Sequence, residues 1–179
     1  MPHRQPDLSS LIKISDVQAS IPPGSRLLIG VSGGADSIAL LLALAHLSSR
    51  ENIEVFAVHV NHQLRHESAD EEQFVKNLCK RISVPLHIVH LENADIVAGG
   101  SAEAHWRKLR YNAFTEIAQK VDASAIALGH TADDLAETFV FHLVRGTGID
   151  GLTFQYETRH ETLRIIRPLW KTQRSTIET

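Results

Sequence analysis

The chain is short of several things, and each shortage excludes something. It has one cysteine, Cys79, among 179 residues. One thiol makes no internal disulfide and no CxxC pair, so neither a disulfide scaffold nor a cysteine-ligated metal cluster is available within the chain. No long apolar run is present: the longest, Ile38 to Ala45, falls far below the roughly 20 residues that cross a bilayer. The opening residues, MPHRQPDLSS, lack the apolar stretch of a signal peptide. A reducing cytoplasm with no membrane partner is the expected setting. Basic charge is not in excess either. Lys and Arg number 18 against 21 Asp and Glu, a net charge of -3. That argues against a uniformly basic nucleic-acid surface but leaves room for a local patch.

What is there is an ordinary globular balance, 43% hydrophobic and 22% charged, at a length that suits one domain with a useful core. Arg26 to Val31 reads as a buried strand ending in a glycine loop, and Ile38 to Leu47 as a buried helix. Ile53 to Val60 is rich in β-branched residues and reads as a second strand. Glu67 to Ile82 carries Phe74, Val75, Leu78, Cys79 and Ile82 at helical spacing, with acidic residues near its start. Pro85 to Val89 is a short third strand. Ala102 to Val121 is a long helix with an inner stripe of Trp106, Leu109, Ala113 and Ile117. Ala123 to Leu128 is a fourth strand, and Thr131 to Arg145 a helix with an inner stripe of Ala136, Phe139, Val140 and Leu143. Gly146, Gly148 and Gly151 break it, and a hairpin follows between Phe154 and Trp170. Residues 1–25 read as an N-terminal helix and linker, and 26–179 as the main domain. Alternating strands and helices predict a doubly wound α/β fold, a mostly parallel five-stranded sheet with helices on both faces. Ligands of such sheets bind beyond the carboxyl ends of the strands.

Three clusters carry chemistry. The first, Ser32-Gly33-Gly34-Ala35-Asp36-Ser37, joins a strand to a helix. Adjacent glycines let the backbone approach an anion, Ser32 and Ser37 offer hydroxyls, and the helix start offers amides and a positive dipole end. Asp36 repels phosphate but suits Mg²⁺, which bridges to phosphate oxygens. With no lysine after the glycines, the loop is not the P-loop GxxxxGK[ST]. The second cluster, Gly129 to Thr138 (GHTADDLAET), follows the fourth strand. Asp133 and Glu137, at i and i+4, share a helix face, which suggests a site for Mg²⁺ or an ammonium group. The plainer alternative is a helix capped by Thr131 with acidic residues favoured by the dipole. The third places Glu103, Arg107 and Arg110 on one stripe of the long helix. Arginine's planar fork suits phosphate, and the plainer alternative is a solvated Glu–Arg pair.

These strings carry a resemblance. SGGADS resembles the PP-loop of the N-type ATP pyrophosphatases, which implies a fold of the adenine nucleotide alpha-hydrolase-like (HUP/PP-loop) type. The stretch from about Arg26 to Trp170 is similar to the N-terminal catalytic domain of the tRNA(Ile)-lysidine synthetases. GHTADDLAET resembles that family's GHxxDDxxET, with Leu135 where glutamine is frequent. SAEAHWRKLRYNAF resembles EAxARxxRYxxF. HVNHQLR resembles HVDHGLR, with Asn61 and Gln63 at the Asp and Gly positions, and RGTGIDGL and RPL match further segments.

The resemblance implies a ligase using ATP and Mg²⁺. It adenylylates the 2-carbonyl of the wobble cytidine of an isoleucine tRNA, and free lysine then displaces AMP to form lysidine. By resemblance, Ser32, Gly33, Gly34, Asp36 and Ser37 hold the nucleotide phosphates, with His59 near the adenosine. Asp36, His130, Asp133 and Arg110 serve the reaction, Asp36 and Asp133 as metal ligands. Arg107 and Arg110 take ATP phosphates or tRNA backbone. Asp134 and Glu137 contact the amine or orient neighbours, and Arg145 lies with glycines that let nucleic acid or pyrophosphate approach. A homodimer fits the resemblance, as does a longer protein continuing past Thr179. A histidine cluster, His59, His62 and His66, is a weaker zinc candidate. Two alternatives stand beside the ligase: a tRNA thiolase of the same superfamily, and a nucleotide-binding module without complete turnover.

Overall fold

The computed structural model describes residues 21–61, 68–91, 102–146 and 157–178. The N-terminal helix expected before residue 21 lies outside these residues, as do His62, Gln63, His66, Gly148, Gly151 and Leu152. The elements run β1 (Arg26–Gly30), α1 (Ala35–Glu51), β2 (Glu54–Asn61), α2 (Ser68–Arg81), β3 (Leu86–His90), α3 (Ala102–Lys120), β4 (Ala125–Ala127), α4 (Ala132–Val144), β5 (Glu157–His160), β6 (Leu163–Ile166) and α5 (Arg174–Ile177). The strands form one sheet in the order β3-β2-β1-β4-β6-β5. The sheet has six strands where the pattern predicted five, because both arms of the hairpin join it. β6 lies parallel to β4, and β5 closes the edge antiparallel to β6. All other pairs are parallel.

Alternation along β1 divides the core in two. Leu27 and Ile29 face one side, where they meet Leu40, Leu41, Leu44 and Leu47 of α1 and Val75, Leu78 and Cys79 of α2. Leu28 faces the other, with Val58 and Ile126, against Tyr111, Phe114, Ile117 and Ala118 of α3. Helices therefore cover both faces, as parallel sheets require.

Three helix faces differ from expectation. In α2, Phe74 is 49% exposed while Glu72 is buried. The strand ends explain the rotation. Glu72 accepts hydrogen bonds from Lys76 Nζ at 2.6 Å, Asn61 Nδ2 at 2.8 Å and His90 Nε2 at 2.7 Å. Lys76 first, then Asn61, hold its carboxyl at a pKa of about 2. In α3, Trp106 and Leu109 are half-buried, and the buried stripe is Tyr111, Ala113, Phe114, Ile117 and Ala118. In α4 the expected inner stripe does not pack. Ala136 is exposed, Phe139, Val140 and Leu143 are 44%, 55% and 57% exposed, and no residue of the helix is buried. Periodicity tells which residues share a face. It does not supply the surface they meet.

Candidate functional site

The sheet order places the site. From β1 the chain adds β2 and β3 on one side, and β4, β6 and β5 lie on the other. The order reverses between β1 and β4, which is the switch point where ligands of open α/β sheets bind. The loop after β1 and the loop after β4 meet there. A Cβ on Gly129 would sit 3.1 Å from the Asp36 carbonyl and from Ser37 Cα, so any larger residue would push the two loops apart by a few tenths of an ångström. Gly33 holds a φ of +97°, which glycine adopts without strain.

The loop after β1 is braced from within. The Ser37 hydroxyl donates to the Gly34 carbonyl at 2.9 Å and accepts from the Ser32 amide and the Ser32 hydroxyl, each at 3.1 Å. Gly34 is the N-cap of α1 and no side chain caps this end. The first-turn amides therefore have no intrahelical acceptor, and Gly34, Ala35, Asp36 and Ser37 all line one cavity. Uncapped amides at the positive end of a helix dipole form a receptor for an anion.

The cavity is about 670 Å³, a volume that suits a small-molecule ligand. One wall carries Ser32, Asp36 and Ser37, and another carries Arg110, His130 and Asp134. Val58, Val60, Phe114 and Leu128 add an apolar lining suited to a nucleobase. His59 is also in the lining. Its Nδ1 donates to the Val31 carbonyl at 2.8 Å, which fixes the neutral ring's Nε2 as the acceptor.

Electrostatics divide the site into an acidic and a basic side. On the acidic side stands Arg174 of α5, a residue that no sequence motif marks. Its guanidinium lies 3.3 Å from Asp36 Oδ2, 2.9 Å from Asp134 Oδ1 and 3.5 Å from Glu137 Oε1. Its backbone amide donates to Asp133 Oδ2 at 2.7 Å. Burial raises the Asp36 pKa, with the charges of Asp134 and Glu178 adding to it and Arg174 opposing. Asp36 Oδ1 is buried with no hydrogen-bond partner. A desolvated carboxylate oxygen left unpaired fits a Mg²⁺ ligand. The described residues hold no cluster of three candidate ligands, and Mg²⁺ at nucleotide sites uses one or two carboxylates plus phosphate oxygens. On the basic side, His130 is pushed down by burial and then by Arg167, with Arg107 and Arg110 adding. Its Nδ1 is buried without a partner.

The structure brings Ser32, Gly34, Asp36, Ser37, His59, Arg110, His130 and Asp134 to one cavity. It places the remaining candidates around it. Gly33 turns behind the loop toward Glu71 and Val75. Asp133 is committed to the start of α5, and Glu137 is largely exposed beside Arg174. Asp134 closes a capping box with Thr131, the plainer alternative the sequence had offered, and still reaches Arg174. Arg107 is exposed and outside the cavity lining, over the Tyr111 ring. Arg145 caps the end of α4, its guanidinium 4.0 Å from the Phe141 ring centroid. Besides Arg174, the residues missed as site members are Tyr111, in the cavity lining, and Arg167, in the RPL segment. Tyr111 stood beside Arg110 in a recognised string, and that was the available signal.

Comparison with known proteins bears on the family and the fold. The family model described as the PP-loop domain matches residues 6–179. A tRNA(Ile)-lysidine synthase of Clostridium acetobutylicum is 34% identical over 174 residues, covering 96% of this chain and 37% of that protein. One of Clostridioides difficile is 37% identical over 161 residues, covering 88% of this chain and 34% of that protein. The chain thus spans about a third of the length of the curated relatives it matches. Among solved structures, the U34-tRNA thiolase NcsA of Methanococcus maripaludis superposes with a TM-score of 0.78 at 18% identity, covering 96% of this chain and 58% of that one. An FMN adenylyltransferase of Candida glabrata superposes at 0.53 and 17%, covering 96% and 53%. At such identities these two show shared fold alone. With a glycine loop, an uncapped helix start and a switch-point cavity matched along most of its length by one family model, the chain belongs to the PP-loop domain family.

Proposed function

We propose that this chain is the ATP-using, adenylylating part of a tRNA(Ile)-lysidine synthase. The observation that carries the reading is the single cavity in which the uncapped start of α1 faces His130 and Asp134 across the switch point. The relatives' printed name, tRNA(Ile)-lysidine synthase, supports an isoleucine tRNA as the RNA substrate, and free lysine is the second substrate in this reading.

In this reading the amides of residues 35–37 hold the triphosphate, the Ser32 and Ser37 hydroxyls brace the loop around it, and the apolar lining holds adenine. Asp36, through its unpartnered Oδ1, would hold Mg²⁺, which would neutralise phosphate charge. The cytidine 2-carbonyl oxygen attacks the α-phosphorus and pyrophosphate leaves. The lysine ε-amine then attacks the activated carbon, AMP leaves, and the attacking nitrogen loses a proton. His130 is the group suited to take that proton, because burial keeps its imidazole neutral. Arg110 supplies positive charge on the wall opposite the loop. Asp134 and Glu137 hold Arg174, which keeps α5 against both motifs.

ATP–pyrophosphate exchange with unmodified tRNA tests the assignment. Asp36→Ala is expected to lose about 100-fold or more. Exchange at the wild-type rate in that variant would overturn the reading. Sulfur transfer is the weaker alternative, since Cys79 is buried and burial raises its thiol pKa.

A further inference from the structure

We propose that Glu72 is a positioning residue for the nucleotide: through Asn61 it holds the end of β2 and the start of α2 as one wall of the cavity, on the side where the base sits. The inference rests on the ATP reading above and adds a residue of α2 that none of the sequence motifs contains.

Three donors converge on this carboxylate. Glu72 Oε2 accepts from Asn61 Nδ2 at 2.8 Å and from His90 Nε2 at 2.7 Å, and Oε1 accepts from Lys76 Nζ at 2.6 Å. Asn61 and His90 are paired on neighbouring strands, so one side chain ties α2 to both β2 and β3. An ionised carboxylate accepts at both oxygens, whereas a glutamine in its place would set its own NH2 against a donor. Hydrogen bonds from Lys76 and Asn61 outweigh burial and keep the group ionised. Asn61 is the inner partner. It is buried, while the Lys76 and His90 side chains are 45% and 49% exposed. Its Nδ2 also donates to the Ser68 carbonyl at 3.2 Å. Both hydrogens of Nδ2 are thereby used, and the amide cannot turn over without losing two bonds.

The cavity reaches this network. Asn61, Ser68 and Glu71 line it, beside Val58, His59 and Val60 of the same strand as Asn61. The start of α1 is a separate part of the wall. The two halves of the nucleotide therefore depend on different residues: the polyphosphate on the loop after β1, the nucleoside on β2 and what braces it. Asn61 stands where the HVDHGLR pattern places an aspartate. Here the carboxylate stands on α2, and β2 supplies the amide that meets it. The pair is one donor facing one acceptor, and that arrangement survives an exchange of the two groups but not the change of either alone.

The test is calorimetric binding of ATP and, separately, of inorganic pyrophosphate, each with Mg²⁺. Glu72→Gln is expected to weaken ATP binding about tenfold and to leave the pyrophosphate Kd within about twofold. Asn61→Asp sets two carboxylates against each other and is expected to lose at least as much. The double variant, Asn61→Asp with Glu72→Gln, again sets one donor against one acceptor. Its ATP Kd is expected within about threefold of the unmodified protein. Thermal melts of the same samples show that each variant is folded at the temperature of the titration. A role confined to stability lowers the melting temperature of Glu72→Gln and leaves its ATP Kd unchanged, and that result overturns the proposal. So does an equal loss for ATP and pyrophosphate, or a double variant that binds ATP no better than the weaker single variant. Each of these leaves the ATP reading standing. An unmodified protein that binds neither ATP nor pyrophosphate overturns that reading and the proposal together.

Discussion

Helices α1 and α4 each follow a central strand of the sheet, start at the same switch point and are rich in apolar residues, yet they are held by opposite means. α1 buries Leu40, Leu41, Leu44 and Leu47 to 2% exposure or less, and its first turn has no side-chain cap. α4 buries nothing, and its first turn is closed by the Thr131–Asp134 capping box. Packing stabilises α1, so its end is free to receive an anion. Local hydrogen bonds stabilise α4, and the carboxylates near its start receive a cation, Arg174. The two helix starts that meet at the cavity therefore differ: one leaves its first-turn amides without a capping side chain, and the other closes them with its own.

The largest expected effect breaks the packing half of that comparison. Leu40→Ala is expected to cost about 3 kcal/mol of unfolding free energy, measured by urea denaturation. The same change at exposed Leu143 is expected to cost no more than about 0.5 kcal/mol. A cost near 2 kcal/mol at Leu143 would mean that the α4 face is covered in solution.

Closing the open helix start sharpens the other half. Gly34 has φ -73°, and a Cβ there would meet only Ser32 Oγ, at 3.6 Å. Gly34→Asp therefore fits sterically and supplies an N-cap. It is expected to stabilise α1 by a few tenths of a kcal/mol while weakening ATP binding about tenfold or more, since a carboxylate occupies the anion receptor. Calorimetry with ATP reads the loss, and unchanged affinity would remove the helix start from the site. Opening the closed end, Thr131→Ala, is expected to cost about 1 kcal/mol, read as a lower melting temperature.

The smallest effect concerns pH. Burial favours the neutral form of His130, so its pKa lies below 6.5. As pH falls, the imidazole stays available as a base through 6.5 and is lost only below it. The acid limb of lysine-dependent AMP release is accordingly expected below pH 6.5, and a limb above that value would assign the base elsewhere.

Much of the fold was legible because β1 to β4 and the helices between them announce themselves by apolar runs of the right length and period. The loop after β1 was legible for a related reason: adjacent glycines between an apolar strand and an apolar helix have few other uses. What stayed hidden depends on what meets what. Glu72 reads as an acid placed near a helix start, and only its contact with Asn61 and His90 reveals that it is buried. The α4 stripe reads as a core face, although periodicity is silent about the partner surface. Arg174 sits in a polar stretch with no period and no motif. Its role exists only once α5 lies against α1 and α4.

The bond between Asp36 and Arg174 closes a chain separation of 138 residues, while Arg174 meets Asp133 and Asp134 across 41 and 40. Contacts this distant in sequence form only after the intervening topology is in place. Without the Arg174 guanidinium, the charge of Asp134 would act on Asp36 unopposed. The ion pairs of Arg174 therefore depend on the finished strand order, and a chain whose β-strands have paired in the wrong order does not bring Arg174 to them.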